Sequence, residues 1–326
     1  MKKRIIFAII VLYVAFVYAA DYAETFLSLN PGVLGEGARG SLITFADEFN
    51  PMFYFNPANS STLENSRFFL SYEHKFLFSN NSQYNSASIV MPSVKSVRFG
   101  LGYINQLISG IPIYPEYSDS VSFEPTGYFS DNANCILINA SYIYADEPLK
   151  RFSLSGGLNI KPIIHKIYEN TGIGAGIDAG VNAAYYFNTF SQSNPSKASF
   201  GFSLSDIGGT RVKWDTDSNT VDIRKIKINA ALSYMVKLSV VKSEIFYEAG
   251  WTDADEGKLL SSLIYRYNEM AGVFCGITHL LNATDGEQER SYGAGCFIDV
   301  LGFGIYYSVS TGELGFSHSV GARYRI

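Results

Sequence analysis

The chain has 326 residues, 47% hydrophobic and 17% charged, with 23 Tyr and 24 Phe but only 2 Trp, an aromatic bias toward strands and membrane interfaces. Its net charge of −5 offers no basic field, so nucleic acid is excluded as a partner. Cys135, Cys275 and Cys296 lie far apart in apolar stretches, which excludes a disulfide framework and a zinc site and gives no reason to expect a metal or cofactor.

In chain order, Lys2, Lys3 and Arg4 form a positive start to an apolar run from Ile5 to Ala20. The run is short of the roughly 20 residues a membrane helix needs, and Val17 and Ala19 suit a signal-peptidase site. Residues 1–19 therefore read as a signal peptide, with no cysteine nearby for a lipid anchor. Residues 20–65 follow a different pattern. They hold an apolar stretch, Leu42 to Ala46, then the turn-forming pairs Asn50-Pro51 and Asn56-Pro57. Phe45, Phe49, Phe53, Tyr54 and Phe55 make the stretch too aromatic for a disordered tail, so a folded hatch, or plug, is expected.

From residue 66 onward, short segments alternate apolar and polar residues between Gly, Asn, Asp, Ser and Pro. Leu301, Phe303, Ile305, Tyr307 and Val309, alternating with Gly302, Gly304, Tyr306 and Ser308, form the clearest. Fourteen segments are expected: about 66–76, 83–91, 96–107, 133–145, 150–167, 172–187, 197–205, 222–237, 241–251, 258–267, 271–280, 291–299, 301–309 and 313–325. With no second long apolar run, a membrane crossing requires a closed barrel. The expected fold is all-β, a transmembrane antiparallel β-barrel of about 14 strands over 66–326, with an amino-terminal hatch. Connections at 92–95, 146–149, 238–240 and 268–270 are tight, and those at 108–132, 206–221 and 281–290 are long. The long set belongs outside the cell; the connection at 188–196 is the exception.

Alternation turns Arg67, Glu73, Arg98, Glu244, Glu248, Arg266, Arg323 and Arg325 toward the lumen. There they meet either lumen water or Glu36, Arg39, Asp47 and Glu48 of the plug. The fifth segment exceeds the 9 to 11 residues a tilted strand needs and contains Gly156, Gly157 and Pro162. It either overshoots the membrane or opens a lateral gap. His74, His165, His279 and His318 sit in no catalytic motif, and no enzyme is expected.

Gly37-Ala38-Arg39, Phe45-Ala46-Asp47 and Phe53-Tyr54-Phe55-Asn56-Pro57-Ala58, with Leu63 following, resemble the amino-terminal signature of the FadL-type long-chain fatty-acid transporter superfamily, nearest its PorV/PorQ-like branch. The match spans residues 37 to 63. Ser41-Leu42-Ile43 stands where further glycines are usual, Asn59 where a glycine is common, and the chain ends Tyr324-Arg325-Ile326 without the usual terminal aromatic. The resemblance implies a hatch built on Asn56, Pro57 and Ala58, outer-membrane lipid as surroundings, and a hydrophobic, fatty-acid-like ligand that enters from outside and leaves through the wall. Two other readings stand beside it: a PorV-like barrel that docks or shuttles secretion-system protein partners, and a general porin. A greasy pocket beneath the long loops favours transport, a wide wet channel a porin, and an occluded barrel with exposed apolar loop tips a docking role.

Overall fold

The computed structural model describes residues 24–45, 52–63, 67–77, 82–114, 124–145, 151–188, 195–216, 220–254, 257–281, 290–312 and 315–326. The expected signal peptide, Asp47, Glu48 and Asn50-Pro51 lie outside the described residues.

Period-two alternation builds the wall. The strands are β1 (Phe69–Leu77), β2 (Ser82–Val90), β3 (Val97–Ile113), β4 (Gly127–Ala145), β5 (Phe152–Ile167), β6 (Asn170–Asn188), β7 (Pro195–Ser205), β8 (Thr210–Trp214), β9 (Val221–Arg224), β10 (Lys227–Leu238), β11 (Ser243–Thr252), β12 (Lys258–Tyr267), β13 (Ala271–Leu280), β14 (Arg290–Val300), β15 (Phe303–Gly312) and β16 (Gly315–Arg325). All pairings are antiparallel, and β1 pairs with β16, Phe69 opposite Arg325, which closes the ring. β8 continues the course of β7 along β6, and β9 leads into β10, so the sixteen strands make a closed barrel of fourteen. Along β1 the odd positions are buried while Leu70, Tyr72 and Phe76 are exposed. The same apolar-out pattern recurs in Leu259, Leu263 and Tyr265 of β12 and Phe303, Ile305 and Tyr307 of β15. An apolar outer face over a polar interior is the signature of an outer-membrane barrel.

The longest connections, 114–126 and 281–289, lie at the end away from the start of β1 and the finish of β16, and we take the near end as periplasmic. The wall is uneven. β3 to β6 run 17, 19, 16 and 19 residues, whereas β11, β12 and β13 run 10 each. The surplus rises on the outer side, joined by the β8–β9 hairpin, which pairs with the first residues of β6. The connection expected at 108–132 is therefore shorter than alternation suggested. After a register shift between Ile108 and Ile111, Ile111 to Ile113 pair with Phe129 to Gly127.

Residues 24–45 and 52–63 touch inward-facing residues on all sides of this ring. Besides a five-residue helix, α1 (Val33–Gly37), they form only short 3-10 turns. Two apolar clusters hold the segment. Phe26, Leu27 and Phe53 pack with wall residues of β1 to β5 and β8; Val33, Leu34, Ala38, Leu42, Phe45 and Phe55 pack with Phe246, Ile264, Phe274, Phe297 and Tyr306.

Candidate functional site

An irregular segment inside a barrel leaves its peptide groups without ladder partners, and each buried one needs a substitute. The wall supplies them from inward-facing neutral side chains. Asn159 donates to the carbonyl of Phe53 at 2.8 Å, Asn139 to Pro57 at 3.0 Å and Asn182 to Thr44 at 3.1 Å. Hydroxyls do the same: Ser203 to Phe55 at 3.0 Å, Ser262 to Ser41 at 3.0 Å and Thr278 to Arg39 at 3.2 Å. The wall also comes close enough that only glycine fits. A Cβ on Gly157 would stand 2.2 Å from the Pro57 carbonyl oxygen, and one on Gly276 would stand 2.3 Å from that of Ala38.

Within the segment, Asn56 is fully buried. Its amide donates to the carbonyls of Ile43 at 2.9 Å and Val181 at 3.0 Å, and its Oδ1 accepts from the Ala58 amide at 3.0 Å. Pro57 thus sits in a turn tied both to the segment and to β6. Gly37 packs against the Phe274 ring, and Arg39 donates to Ser291 at 2.8 Å and pairs with Glu36 at 3.4 Å.

The inward charges divide by height. Glu73, Arg98, Glu248 and Arg323 are buried in the interior. Glu73 accepts from the Val33 amide at 3.0 Å, and Glu248 from the amides of Ile43 at 2.9 Å and Thr44 at 2.8 Å. These carboxylates meet peptide N–H groups of the segment, which alternation cannot foresee because it says nothing about an irregular backbone. Arg323 pairs with Asp299 of the wall. Glu244, Arg266, Arg67 and Arg325 lie at the periplasmic rim, where they line two crevices. Glu36, unassigned to any partner by sequence, pairs with Lys75. Burial raises its pKa, but Lys75 and Arg39 outweigh that and hold it below the usual carboxylate range.

Toward the outer side the turn at 206–209 separates β7 from β8, with Asp206, Gly208 and Gly209 at positive φ. Asp206 is buried there, accepting from Lys161 at 2.5 Å, Thr210 at 2.5 Å and Arg224 at 2.9 Å. Lys161 also pairs with Asp178 at 2.7 Å. Burial raises the Asp206 pKa, but Lys161 and Arg224 overcome it and keep the group low. Arg224 reaches on to the Glu24 carbonyl and Ser28, both at 3.0 Å, and His165 bridges Glu24 at 3.2 Å and Asp131 at 2.6 Å. The first described residues of the segment are thereby fastened at the outer mouth. Asn139, Asn159, Lys161, Asp178 and Asp206 were missed by sequence reasoning; the first four lie in expected strands, where parity gives a direction but no partner, and Asp206 read as loop.

Above the segment lies a cavity of about 260 Å3. Arg39, Arg224, Lys227, Lys258, Asp178 and Asp206 contribute charge to its lining, and Leu27, Ile43, Tyr54, Phe55, Leu260 and Leu280 contribute apolar surface. Leu27 also belongs to an apolar cluster with Ile104, Cys135, Leu137, Ile163, Val212 and Trp214 of the wall. Pro162, beside that cluster, is opposite Ala175 in a continuous β5–β6 ladder. On the β4 side the register is the same above and below, Cys135 to Ile163 and Ile138 to Ile160, but Ile136 and Leu137 have no pairing partner in β5. Among the described residues no group of His, Cys, Asp and Glu is arranged to hold a metal.

The fold has a counterpart among solved structures. Over 91% of this chain and 96% of the other, it is similar to the CymD monoaromatic hydrocarbon channel, with a TM-score of 0.50 and 10% identity. A Pseudomonas aeruginosa FadL homologue matches over 91% of this chain and 97% of its own, with a TM-score of 0.48 and 9% identity. The Pseudomonas putida toluene transporter TodX matches over 95% and 98%, with a TM-score of 0.46 and 11% identity. No family model matches the sequence, and no curated protein does. At 10% identity the likeness to CymD is one of fold, an outer-membrane barrel of the same build.

Proposed function

We propose that the protein is a gated outer-membrane channel for a small hydrophobic molecule, with residues 20–65 as its hatch. One observation carries the reading. Barrel lumens are usually polar, yet here Ile104, Cys135, Leu137, Ile163, Val212 and Trp214 face inward together, and Phe26 and Leu27 fill the space between them. An apolar patch of the lumen wall capped by two apolar side chains, beneath a cavity lined by charged and apolar groups alike, suits a small ligand with an apolar body. Movement of Phe26 and Leu27 would open an apolar chamber there, joined to that cavity. The occluded lumen counts against a general porin. CymD, the barrel of like fold, is a monoaromatic hydrocarbon channel, and a ligand of that kind agrees with this chamber.

The finer assignments belong to the same proposal. Placement near the PorV/PorQ-like branch rests on the motif over residues 37–63, and residues 1–19 act as the export signal. Exit is lateral, through the seam between β4 and β5 where Pro162 offers no amide and Ile136 and Leu137 go unpaired. The test is uptake of radiolabelled toluene and octanoate by cells with an intact lipopolysaccharide layer that lack their own hydrophobic channel. The wild-type protein should raise uptake, and Leu137→Asn with Ile163→Asn should abolish it, since polar residues suit a lumen but not this chamber. Undiminished uptake by the double variant overturns the reading, as does rapid swelling of wild-type proteoliposomes in arabinose.

A further inference from the structure

Large apolar side chains dominate the outer face of the wall, as lipid requires, but one row across four strands is polar. His74, Asn85, Asn105 and Asn134 occupy paired positions on β1, β2, β3 and β4. Each points outward, because its chain neighbours point in: Glu73 and Lys75, Tyr84 and Ser86, Ile104, and Ala133 and Cys135 are buried. The row lies within the apolar surface. It runs between the exposed Tyr72 and Phe76 on β1 and between Tyr103 and Leu107 on β3, and it ends at the exposed Ile164 of β5, which pairs with Asn134.

Hydrogen bonds join the row into one chain. Asn85 Nδ2 donates to Asn105 Oδ1 at 3.1 Å, and Asn105 Nδ2 donates to Asn134 Oδ1 at 3.0 Å and to Asn132 Oδ1 at 2.8 Å. The Tyr72 and Tyr103 hydroxyls donate to the Oδ1 atoms of Asn85 and Asn134 at 3.1 and 2.6 Å. This order fixes the tautomer of His74. Asn85 Oδ1 can only accept, so His74 Nδ1, 2.8 Å away, donates to it, and Nε2 of the neutral ring carries a lone pair. Among the described residues no polar group meets that lone pair or the second N–H of Asn85. A donor and an acceptor therefore stand open on directly opposed residues, on a face where an unmet polar group is costly. Beside the row, toward the end taken as periplasmic, the outer face is hollowed into a groove of about 620 Å3. The small side chains of Ala87 and Ala322 form its floor between Tyr72, Leu101, Tyr103 and Tyr324.

We propose that row and groove together bind an acyl lipid whose chain is attached through an amide. The chain lies in the groove. At its head the amide carbonyl accepts from Asn85, and the amide N–H donates to His74 Nε2. An ester supplies the acceptor alone and leaves the His74 lone pair unmet, so the site selects N-acyl over O-acyl lipid. The polar linkage sits on the outer side of the groove and the chain points toward the periplasm, which is the orientation of a lipid in the outer leaflet.

The test uses the full-length protein in dodecyl maltoside, incubated with N-palmitoyl ceramide or with dipalmitoylglycerol, two uncharged lipids, one amide-linked and one ester-linked, and read by native mass spectrometry. Ceramide should be retained at least tenfold better than the glyceride. His74→Phe with Asn85→Leu removes the open acceptor and donor, and should bring ceramide down to the level of the glyceride. Ala87→Trp fills the groove and should lower retention of both lipids. Equal retention of the two lipids by the wild-type protein overturns the proposal. So does a ceramide preference that survives the double variant in a barrel with heat-modifiable migration, or ceramide retention that Ala87→Trp leaves unchanged. If the double variant does not fold, His74→Phe alone removes the acceptor and makes the same comparison. A wild-type dimer that the double variant dissolves would make the row a contact between copies, and would equally overturn the lipid site.

Discussion

Glu248→Ala offers the most direct test of how the segment is held. The carboxylate is wholly buried and accepts from the amides of Ile43 and Thr44 at 2.9 and 2.8 Å, and from the hydroxyls of Ser41 and Thr44 at 3.2 and 2.5 Å. The hydroxyls can turn elsewhere; that of Thr44 already lies 2.6 Å from Ser233. The two amides cannot, and each buried donor left without an acceptor costs about 1–3 kcal/mol. Water entering the vacated space relieves part of this, which leaves about 3 kcal/mol lost from the seated state. At 1.4 kcal/mol per decade the released population should rise about 100-fold. Planar-bilayer recordings should show frequent openings that the wild-type protein lacks, and trypsin should cut at Arg39 far faster. Glu248→Gln, which keeps one acceptor oxygen, should produce a much smaller change. If Glu248→Ala migrates as a folded barrel yet matches wild type in both conductance and cleavage at Arg39, the segment is not held by this carboxylate.

Gly157→Val would drive a side chain into the Pro57 carbonyl, 2.2 Å from its Cβ, and should unseat the segment while the strand itself tolerates valine; arabinose swelling of proteoliposomes is the readout. Asn56→Ala removes the side chain's two donated bonds and one accepted bond, and should cost the seated state about 2 kcal/mol, seen as faster hydrogen exchange over residues 41–45 without change in the wall. Pro162→Val restores an amide at the seam opposite Ile136 and should slow uptake of toluene; unchanged uptake removes this seam from the exit path. Glu36 and Asp206 both carry depressed pKa values, so their contribution is complete above the ordinary carboxylate range of about 4 and is lost as pH falls through their lower folded values. Hydrogen exchange over residues 33–40 should accordingly rise below about pH 4, and protection that persists to about pH 2 would contradict the assignment.

Strand positions were legible wherever a wall residue had lipid on one side and lumen on the other, because that contrast writes itself as period two. The expected 258–267 and 271–280 coincide with β12 and β13. Leu301, expected to open a strand, instead forms the β14–β15 turn at φ 54, since an apolar residue at a turn tip breaks the usual compositional rule. The β8–β9 hairpin stayed hidden because β8 fell in the connection expected at 206–221, where Asp206, Gly208 and Gly209 read as loop although they form only a bulge in one strand course, and β9 was merged with β10 in the strand expected at 222–237. For the interior, alternation identified which side chains point inward but not what they meet. Glu248 was selected as a charge and proves to be an acceptor for amides, while Asn139, Asn159 and Asn182 were passed over as neutral. Lys161, Asp178, Asp206 and Arg224 come from β5, β6, the β7–β8 turn and β9, and only the pairing of these neighbouring elements brings them together.

The contacts of α1 with the last strands bear on how the protein is made. Glu36 accepts from Ser310, 274 positions further along the chain, and the Phe274 ring and Ser308 crowd against Gly37. Residues near the start of the polypeptide must therefore wait for the final hairpins before their partners exist, a high-contact-order arrangement that forms slowly. Once β16 has zipped to β1, the ring has no edge through which a folded segment of this width could enter sideways. A segment that lies within the curling sheet as the seam seals would meet its partners on both sides of the seam at once, which ties the interior and the wall to one closing step.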